Sequence, residues 1–510
     1  MKQLIHNGVL VSRPYEAKGF HIYYKGRKLE LSTHQEEMAY AWVKKLGTEY
    51  VNDWIFVKNF FRDFCSALNI EEAKPEDFDF SEIQRYVEGE AEKKLRLTKE
   101  EKKQIAQARK AEREKNKEIY GYVVVNGLKM EVSNYVVEPS SIFMGRGEHP
   151  LRGMWKYGAG KEDVILNLSP DASVPEGNWK EVVWQPNCMW IAKWNDKLSG
   201  KTKYVWLADS SNIKQEREKE KFNKARKLER QMDDVRRKIR DSLRAEDEKR
   251  RKIATVCYLI DELRLRVGDE KDEDEADTVG ATTLEPRHIS IGSNGHVTFD
   301  FIGKDYVKWR KEVSLPEAVV DNLREYASNA KSTMFEGVRS EDVNEFLNEA
   351  MPGLTAKVFR TYHASKVVKD YLKSAKVRES SPEFEKKHVA KMANLEAAIA
   401  CNHKRKIPKR WKESLKSKEE RVKKLETQIR LKKTRKSKKR AREALKKAQL
   451  NVKLMKSTKE YNLGTSLKSY IDPRVYYYWG RKVGFDWKLY YPKTLQKKFS
   501  WVEKGGIAAA

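Results

Sequence analysis

The sequence predicts an α+β chain of several domains, and three observations carry that reading. Its 510 residues can bury two or three separate cores. The β signals cluster ahead of residue 208, where short apolar runs alternate with Asn-Gly, Pro-Glu-Gly and Ser-Gly turns; helical periodicity dominates from residue 212 on. Finally, Pro408 to Lys459 is strongly basic and almost free of aromatics, an abrupt change of composition.

Taken in order, FHIYY and the turn Lys25-Gly26-Arg27 within Gly19 to Leu31 read as a small hairpin, and Ser32 and Thr33 offer an N-cap to a helix ending near Leu46. Glu88 to Lys117 spreads Leu95, Leu97, Ile105 and Ala108 thinly among charges, as exposed helices do. Between Tyr120 and Leu207, VVVNGLKMEV, DVILNL, EVVWQ, MWIAKW and KYVWLA predict strands. Interleaved with them is FMGRGEHPLRGMWKYG, which has no period. It is either a surface loop or one that brings its backbone, Arg146, Arg152 and Lys156 to a phosphate chain.

A long charged helix is predicted from about Asn212 to Arg251 on the stripe Ile213, Phe222, Leu228, Met232, Val235, Ile239 and Leu243. A buried helix from Ala254 to Leu265 then delivers Arg266. HISIGSNGHVTFDFIGKD predicts two strands around Asn294-Gly295, with Lys304 in the turn after the second. Helices dominate from Leu315 to His403, with Arg360 inside one and His403 where an alanine-rich helix stops. Leu415, Val422, Leu425 and Ile429, then Ala441, Leu445, Ala448, Val452 and Met455, recur at heptad-like spacing on either side of the basic run Lys432 to Arg440. That pattern predicts an antiparallel helical hairpin.

With 105 Lys+Arg against 76 Asp+Glu, the formal net charge is +29. Solubility needs no such excess, and a polyanion would match it. No apolar run approaches the roughly 18 residues of a membrane span and no signal-peptide pattern opens the chain, so nucleic acid is expected and membrane is not. Cys65, Cys188, Cys257 and Cys401 form no CxxC pair, which disfavours a zinc site or a disulfide framework and predicts reduced, buried thiols. Gly200-Lys201-Thr202 ends like a phosphate-binding loop, but Asn195 stands where its first glycine belongs, so no nucleotide is expected. The acidic run Asp269 to Asp277 is one solvated stretch, whereas a two-metal site draws carboxylates from separate elements. No metal or other cofactor is expected.

The stretch around which the rest is organised is LGTSLKSYIDPR, Leu463 to Arg474. It sets Tyr470 among Lys468 and Arg474, where cations favour an attacking phenolate, and it equally suits a core tyrosine at a helix end before Asp472-Pro473. Four upstream segments supply cations or histidines suited to a phosphate: LRLRVGDEK (263–271), DFIGKD (300–305), LTAKVFRTYHAS (354–365) and AIACNHKR (398–405). Together with KGFHIYYKGRKLELS, FVKNFFRDF and FMGRGEHPLRGM, they resemble the eukaryotic-type DNA topoisomerase I family, the type IB enzymes, along nearly the whole chain.

The resemblance implies a catalytic set of Tyr470, Arg266, Lys304, Arg360 and His403. Tyr470 attacks the phosphate, Arg266, Arg360 and His403 bind its nonbridging oxygens, and Lys304 protonates the departing 5′ oxygen. A transient 3′-phosphotyrosyl bond, strand rotation and religation follow, without ATP or essential metal. Further contacts to DNA are implied for Arg146, Arg152, Lys156, Asp305, Lys357, Asn402 and Ser469. The chain departs from many relatives at Trp155-Lys156-Tyr157-Gly158, which is less basic, and at Ser469, where asparagine is common.

The implied partner is double-stranded DNA, clamped by a monomer. The implied domains are a mixed α/β N-terminal DNA-binding cap (1–209), a mainly α-helical catalytic core with a small β-hairpin region (210–408), an antiparallel coiled-coil linker (409–458) and a small helical C-terminal domain with the nucleophile (459–510). Because the chain starts near the family core, without the long charged extension of nuclear relatives, an archaeal-type enzyme at the chromosome in the cytoplasm is expected, with a nuclear one as the alternative. Two other functions stay open on the residues alone. A tyrosine recombinase uses a similar residue set but commonly His-x-x-Arg, where this chain has Lys357-Val358-Phe359-Arg360. A non-enzymatic basic chromatin scaffold would need the charge but not Tyr470.

Overall fold

The computed structural model describes residues 1–71, 73–145, 147–268, 279–303 and 307–504. They fall into two units, Met1–Lys214 and the described chain from Gln215 on. Its architecture is mixed α/β, with several small sheets and a predominance of helix.

The first unit runs β1 (Leu4–His6), β2 (His21–Tyr24), β3 (Arg27–Glu30), α1 (Thr33–Val43), α2 (Trp54–Leu68), β4 (Phe78–Asp79), α3 (Ser81–Arg96), α4 (Lys99–Tyr120), β5 (Tyr122–Val125), β6 (Leu128–Glu131), β7 (Ser141–Ile142), β8 (Trp155–Lys156), β9 (Ile165–Asn167), β10 (Glu181–Val183), β11 (Trp190–Asn195) and β12 (Thr202–Trp206). Lys25 and Gly26 have φ of 47° and 79°, and Asn126 and Gly127 have 50° and 78°. Two successive positive φ values give turns whose twist matches the flanking strands, which is why β2–β3 and β5–β6 close as two-residue hairpins. Phe56, Phe60, Phe61 and Phe64 share one face of α2 and are at most 3% exposed. Trp42 stacks on Phe60 at 4.8 Å. Truncating such a ring costs about 3–5 kcal/mol. A second core gathers residues from the sheets β1–β5–β6 and β10–β9–β11–β12. As expected of a solvated helix, α4 buries no side chain.

From residue 212 the elements are α5 (Asn212–Ser242), α6 (Glu248–Leu263), β13 (Ile289–Ile291), β14 (His296–Gly303), β15 (Val307–Ser314), α7 (Glu317–Asn329), α8 (Ser340–Ala350), α9 (Ala356–Ser374), α10 (Glu383–Ala400), α11 (Trp411–Leu431), α12 (Arg435–Ser457), α13 (Leu463–Ser469), α14 (Pro473–Val483), α15 (Lys493–Lys498) and α16 (Trp501–Lys504). Of the expected apolar stripe, Phe222, Leu228, Met232, Val235 and Ile239 are buried in α5, Leu243 is buried just beyond it, and Ile213 is half-buried. The helix stops at Ser242, however, and does not continue to Arg251. The Asp247 carboxylate accepts from the N–H groups of Lys249 and Arg250 at 3.1 and 3.3 Å and so starts α6. Asn322 fixes the break by donating to the Leu243 carbonyl at 3.0 Å.

The Asn294-Gly295 hairpin joins β13 and β14 as expected. Sequence reading missed β15, which pairs antiparallel with β14 along its whole length. Its half-buried Val307, Trp309 and Val313 alternate with exposed Lys308, Arg310 and Glu312, the period of a strand with one solvated face. Helices α11 and α12 pack on each other with only residues 432–434 between them, so the basic run beyond them continues α12 and does not interrupt it. On α11, Leu415, Val422, Leu425 and Ile429 are partly covered while their neighbours are largely exposed. Lys456–Glu419 at 2.7 Å ties the two helices, and Lys446–Glu385 at 2.7 Å ties α12 to α10. Cys65, Cys257 and Cys401 are buried; Cys188 is only half-buried. No helix of the described residues is long and apolar enough to cross a membrane.

Candidate active site

Three arginines line one cavity, two from the loop after α6 and one from α9. After α6, Arg264 takes a left-handed φ of 59° and redirects the chain. The loop carrying Arg266 then lies against residues 279–282, with the Ala281 N–H donating to the Arg266 carbonyl at 2.8 Å and Thr282 Oγ1 to the Val267 carbonyl at 3.1 Å. Glycine is required at this crossing, because a Cβ on Gly280 would stand 2.4 Å from the Gly268 Cα. Arg264, Arg266, Arg360, Asn402 and His403 line a cavity of about 90 Å³. Gly303 and Val307, on either side of residues 304–306, line it too. Lys304, Asp305 and Arg146 lie outside the described residues, as does the acidic run.

Arg360, early in α9, is 5% exposed. Its Nη2 donates to the Cys401 carbonyl at 3.0 Å and to His403 Nε2 at 3.3 Å. Its Nε is buried with no partner among the described residues. An unpaired buried donor costs about 1–3 kcal/mol, so its presence calls for an explanation outside the fold's own stability. One turn further along α9, His363 Nε2 meets Asp261 Oδ1 at 2.7 Å, and Arg236 bonds the same carboxylate at 2.7 Å. This buried cluster fixes α9 to α6, and thereby the spacing of Arg360 and Arg266. Burial pushes the Asp261 carboxyl up, but the hydrogen bonds from His363 and Arg236 outweigh it and hold the group below its ordinary value.

Asn402 has φ of 52° and turns the chain at the end of α10. The His403 N–H returns to the Ala398 carbonyl at 2.8 Å, while its ring points inward, 7% exposed, and does not act as an open helix-end cap. A guanidinium can only donate, so Nε2 is the acceptor of the Arg360 contact and the ring proton sits on Nδ1, donated to Ser466 Oγ at 2.6 Å. Burial first, then the charges of Arg360 and Arg266, bring the His403 pKa down to about 3, so the imidazole is neutral at pH 7.

Asn462 caps α13, and Tyr470 ends it, its N–H donating to the Ser466 carbonyl at 2.9 Å. The Tyr470 ring, 8% exposed, stacks on His403 with centroids 5.2 Å apart. The Arg360 guanidinium lies 5.0 Å from the same ring. Ser365 Oγ donates to the Tyr470 carbonyl at 3.2 Å and accepts from the Asp472 N–H at 2.9 Å. Lys221 and Lys498 hold the carbonyls of Ser469 and Lys468 at 3.0 and 3.2 Å, and both pair with Glu218. The tyrosine expected from sequence is therefore both a core residue and a neighbour of two expected site residues. Its cationic partner differs from expectation: Arg474 is forked onto Asp472 at 2.7–3.0 Å, and Arg360 faces the ring instead.

The remaining residues divide. Lys357 is exposed on the first turn of α9, Asn402 lines the cavity, and Ser469 is half-buried beside Tyr470. In the first unit, Arg152 is held by Asp53 at 2.6 Å and donates to the carbonyls of Met144 and Gly145 at 3.1 and 2.8 Å. Lys156 bonds Asp196 at 2.6 Å and Glu138 besides. Both cations, expected at a phosphate chain, are neutralised by carboxylates of their own unit and brace the loop. Sequence reading missed Ser466 and Ser365. Ser466 was findable, since four residues before Tyr470 in a helix is the same face; nothing marked Ser365. Among the described residues, no cluster of three or more His, Cys, Asp or Glu could hold a metal.

Three family models match successive parts of the chain: the DNA binding fragment of eukaryotic DNA topoisomerase I over residues 1–207, its catalytic core over 210–437, and a C-terminal topoisomerase domain over 442–506. DNA topoisomerase 1 of Drosophila melanogaster is 35% identical over 526 residues, covering 98% of this chain and 53% of the fly protein. DNA topoisomerase 1 of Homo sapiens is 33% identical over 543 residues, 98% of this chain and 70% of the human protein. The mitochondrial DNA topoisomerase I of Homo sapiens is 32% identical over 547 residues, 98% of this chain and 89% of that protein. The chain thus spans about half the length of the fly relative and rather more of the human ones.

Proposed function

The chain belongs to the eukaryotic DNA topoisomerase I family, and we propose that it relaxes positively and negatively supercoiled duplex DNA by the type IB route, as a monomer around the duplex. Tyr470 gives up its phenolic proton to solvent and its Oη attacks a backbone phosphorus, a 3′-phosphotyrosyl bond forms as the bond to the 5′ oxygen breaks, and Lys304 supplies the proton that oxygen takes. The free end rotates, and the reverse reaction reseals the strand. The ester bond conserves the energy of the broken phosphodiester, so neither ATP nor an essential metal enters. The observation that carries this reading is the meeting of Arg360, His403 and Tyr470, with Arg266 on the same small cavity and the buried Arg360 Nε without a partner among the described residues.

Arg266 and Arg360 take the nonbridging oxygens, where guanidinium geometry suits a phosphate. His403 contributes a third hydrogen bond once its proton is on Nε2. Ser466 permits that exchange, because a hydroxyl donates to Nδ1 as readily as it accepts from it. Lys357, Asn402, Ser469 and Asp305 flank the bound strand. The four-domain division 1–209, 210–408, 409–458 and 459–510 stands as part of the proposal. In support of the linker, Lys404 and Tyr461 pair as a β-bridge, so the α11–α12 excursion leaves and returns at one place. The test is relaxation of supercoiled plasmid in EDTA without ATP, with Tyr470→Phe alongside. The intact protein should relax it; the variant should bind DNA and yield no covalent adduct on denaturation. An adduct from the variant, or no relaxation by the intact protein, overturns the reading.

A further inference from the structure

A second cavity lies behind the tyrosine, between α5, α9 and α14, with a volume of about 520 Å³. That is the size of a small-molecule site. Its apolar wall is made by Phe222, Leu372, Trp479 and Val483, all buried, and by half-buried Val475. Tyr478, 37% exposed, stands at its lip. Its charged lining is one-sided, six basic side chains against the two carboxylates Glu229 and Asp472. Each carboxylate already has a cation, Lys369 on Glu229 at 3.1 Å and Arg474 on Asp472 at 2.7 Å. Lys373, at the end of α9, and Lys482, at the end of α14, are exposed and have no partner among the described residues.

We propose that this cavity binds a small amphipathic anion, a flat apolar body bearing a sulfonate, carboxylate or phosphate. The body fills the space against Phe222 and Trp479, Tyr478 covers it at the lip, and the anion meets Lys373 and Lys482. An uncharged apolar ligand would leave those cations unanswered, and an inorganic anion would leave the apolar wall wet. The chemistry of the lining therefore selects a molecule with both parts.

Occupancy reaches the tyrosine. Ser365 and Asp472 line this cavity, and Ser365 Oγ bridges the Tyr470 carbonyl and the Asp472 N–H. A ligand pressed on that wall stiffens the segment presenting Tyr470, so occupancy here alters the rate of strand cleavage. The coupling rests on Tyr470 as nucleophile; the site itself does not.

The experiment is a fluorescence titration of the full chain with 8-anilinonaphthalene-1-sulfonate in the absence of DNA, which separates the site from any activity. One saturable site is expected. The double variant Lys373→Glu, Lys482→Glu should weaken it at least tenfold, and Tyr478→Ala severalfold, while Lys412→Glu with Lys416→Glu on α11 should leave it unchanged. Lys373, Lys482, Lys412 and Lys416 are exposed and Tyr478 is 37% exposed, so folding is not at risk. Equal affinity in the wild-type and Lys373→Glu, Lys482→Glu proteins overturns the site. A single-turnover cleavage rate that is unmoved at saturating probe, in protein that binds as described, overturns the coupling.

Discussion

Removing the Ser466 hydroxyl should slow cleavage without weakening DNA binding. Ser466 is fully buried, and its Oγ is 2.6 Å from His403 Nδ1. In Ser466→Ala the neutral ring has two choices. It can leave Nδ1–H buried without an acceptor, or move the proton to Nε2, where it faces the Arg360 Nη2 donor 3.3 Å away. Either way one buried polar group loses its partner, at about 1–3 kcal/mol. If that loss falls on the transition state, in which His403 must hold an oriented N–H toward the phosphate, the rate falls between about fivefold and a hundredfold at 1.4 kcal/mol per decade. Single-turnover cleavage of a duplex that releases a short 5′ strand reads the chemical step directly, and filter binding at the same salt reads affinity. Ser466→Cys, which restores a weak acceptor and donor, should recover part of the rate. A Ser466→Ala protein that cleaves within twofold of wild type would refute the argument and reduce the Nδ1 contact to packing.

Other outcomes follow from the same geometry. Arg266→Ala and Arg360→Ala should each slow cleavage and religation by about a hundredfold or more, because one preorganised oxyanion donor contributes roughly 2.7–4 kcal/mol; Arg360→Lys should recover little in the same single-turnover assay, since an ammonium cannot span Cys401, His403 and a phosphate together. Lys304→Ala should be defective on a normal strand and much less so on one with a 5′-bridging sulfur, a leaving group that needs no proton; an undiminished defect there removes Lys304 from the acid role. His403 predicts an acid-sensitive fold. Its native pKa of about 3 lies below the ordinary 6.5, so the unfolded chain binds the proton first and stability falls as pH drops below 6.5 toward 3. At pH 5 His403 should contribute about 2 kcal/mol of loss, so His403→Gln should lose about that much less than wild type between pH 8 and pH 5 in urea unfolding, the remainder coming from groups such as buried His6, whose pKa is also lowered, to about 4.

What the sequence disclosed depended on how local the signal was. Hairpins fixed by Asn-Gly or Lys-Gly turns, the α5 stripe and the heptad seam of α11 and α12 are periodic patterns within one element, and they were legible. The end of α5 was not, because Ser242 to Asp247 is as polar and helix-friendly as its surroundings, and the break depends on Asn322 from a distant helix. Strand β15 hid behind its many charges, which are only the exposed half of an alternation. At the site, the resemblance singled out Arg266, Arg360, His403 and Tyr470, which the fold sets close together, but their partners were not readable. Arg152, Lys156 and Arg474 look from sequence like available cations, and each meets a carboxylate 2 to 99 residues away. Net charge records how many cations a chain has; only the fold determines which of them remain unneutralised.

That distinction bears on how the site can discriminate between substrate and transition state. The cavity brings together the permanent cations Arg264, Arg266 and Arg360 and an imidazole kept neutral by burial first and then by the charges of Arg360 and Arg266. A phosphodiester carries one negative charge, and on the proposed route the five-coordinate species formed when the Tyr470 phenolate adds carries one more. Each fixed cation binds both states, the more highly charged one more strongly, so only the difference between the two interactions accelerates the step. A neutral histidine offers little to the ground state beyond a hydrogen bond, yet its proton affinity rises as charge develops on the oxygen it faces, so its contribution grows along the reaction coordinate. The depressed pKa of His403 is on this argument a functional property of the pocket, produced first by burial and then by the Arg360 and Arg266 side chains that on the proposed route also bind the phosphate.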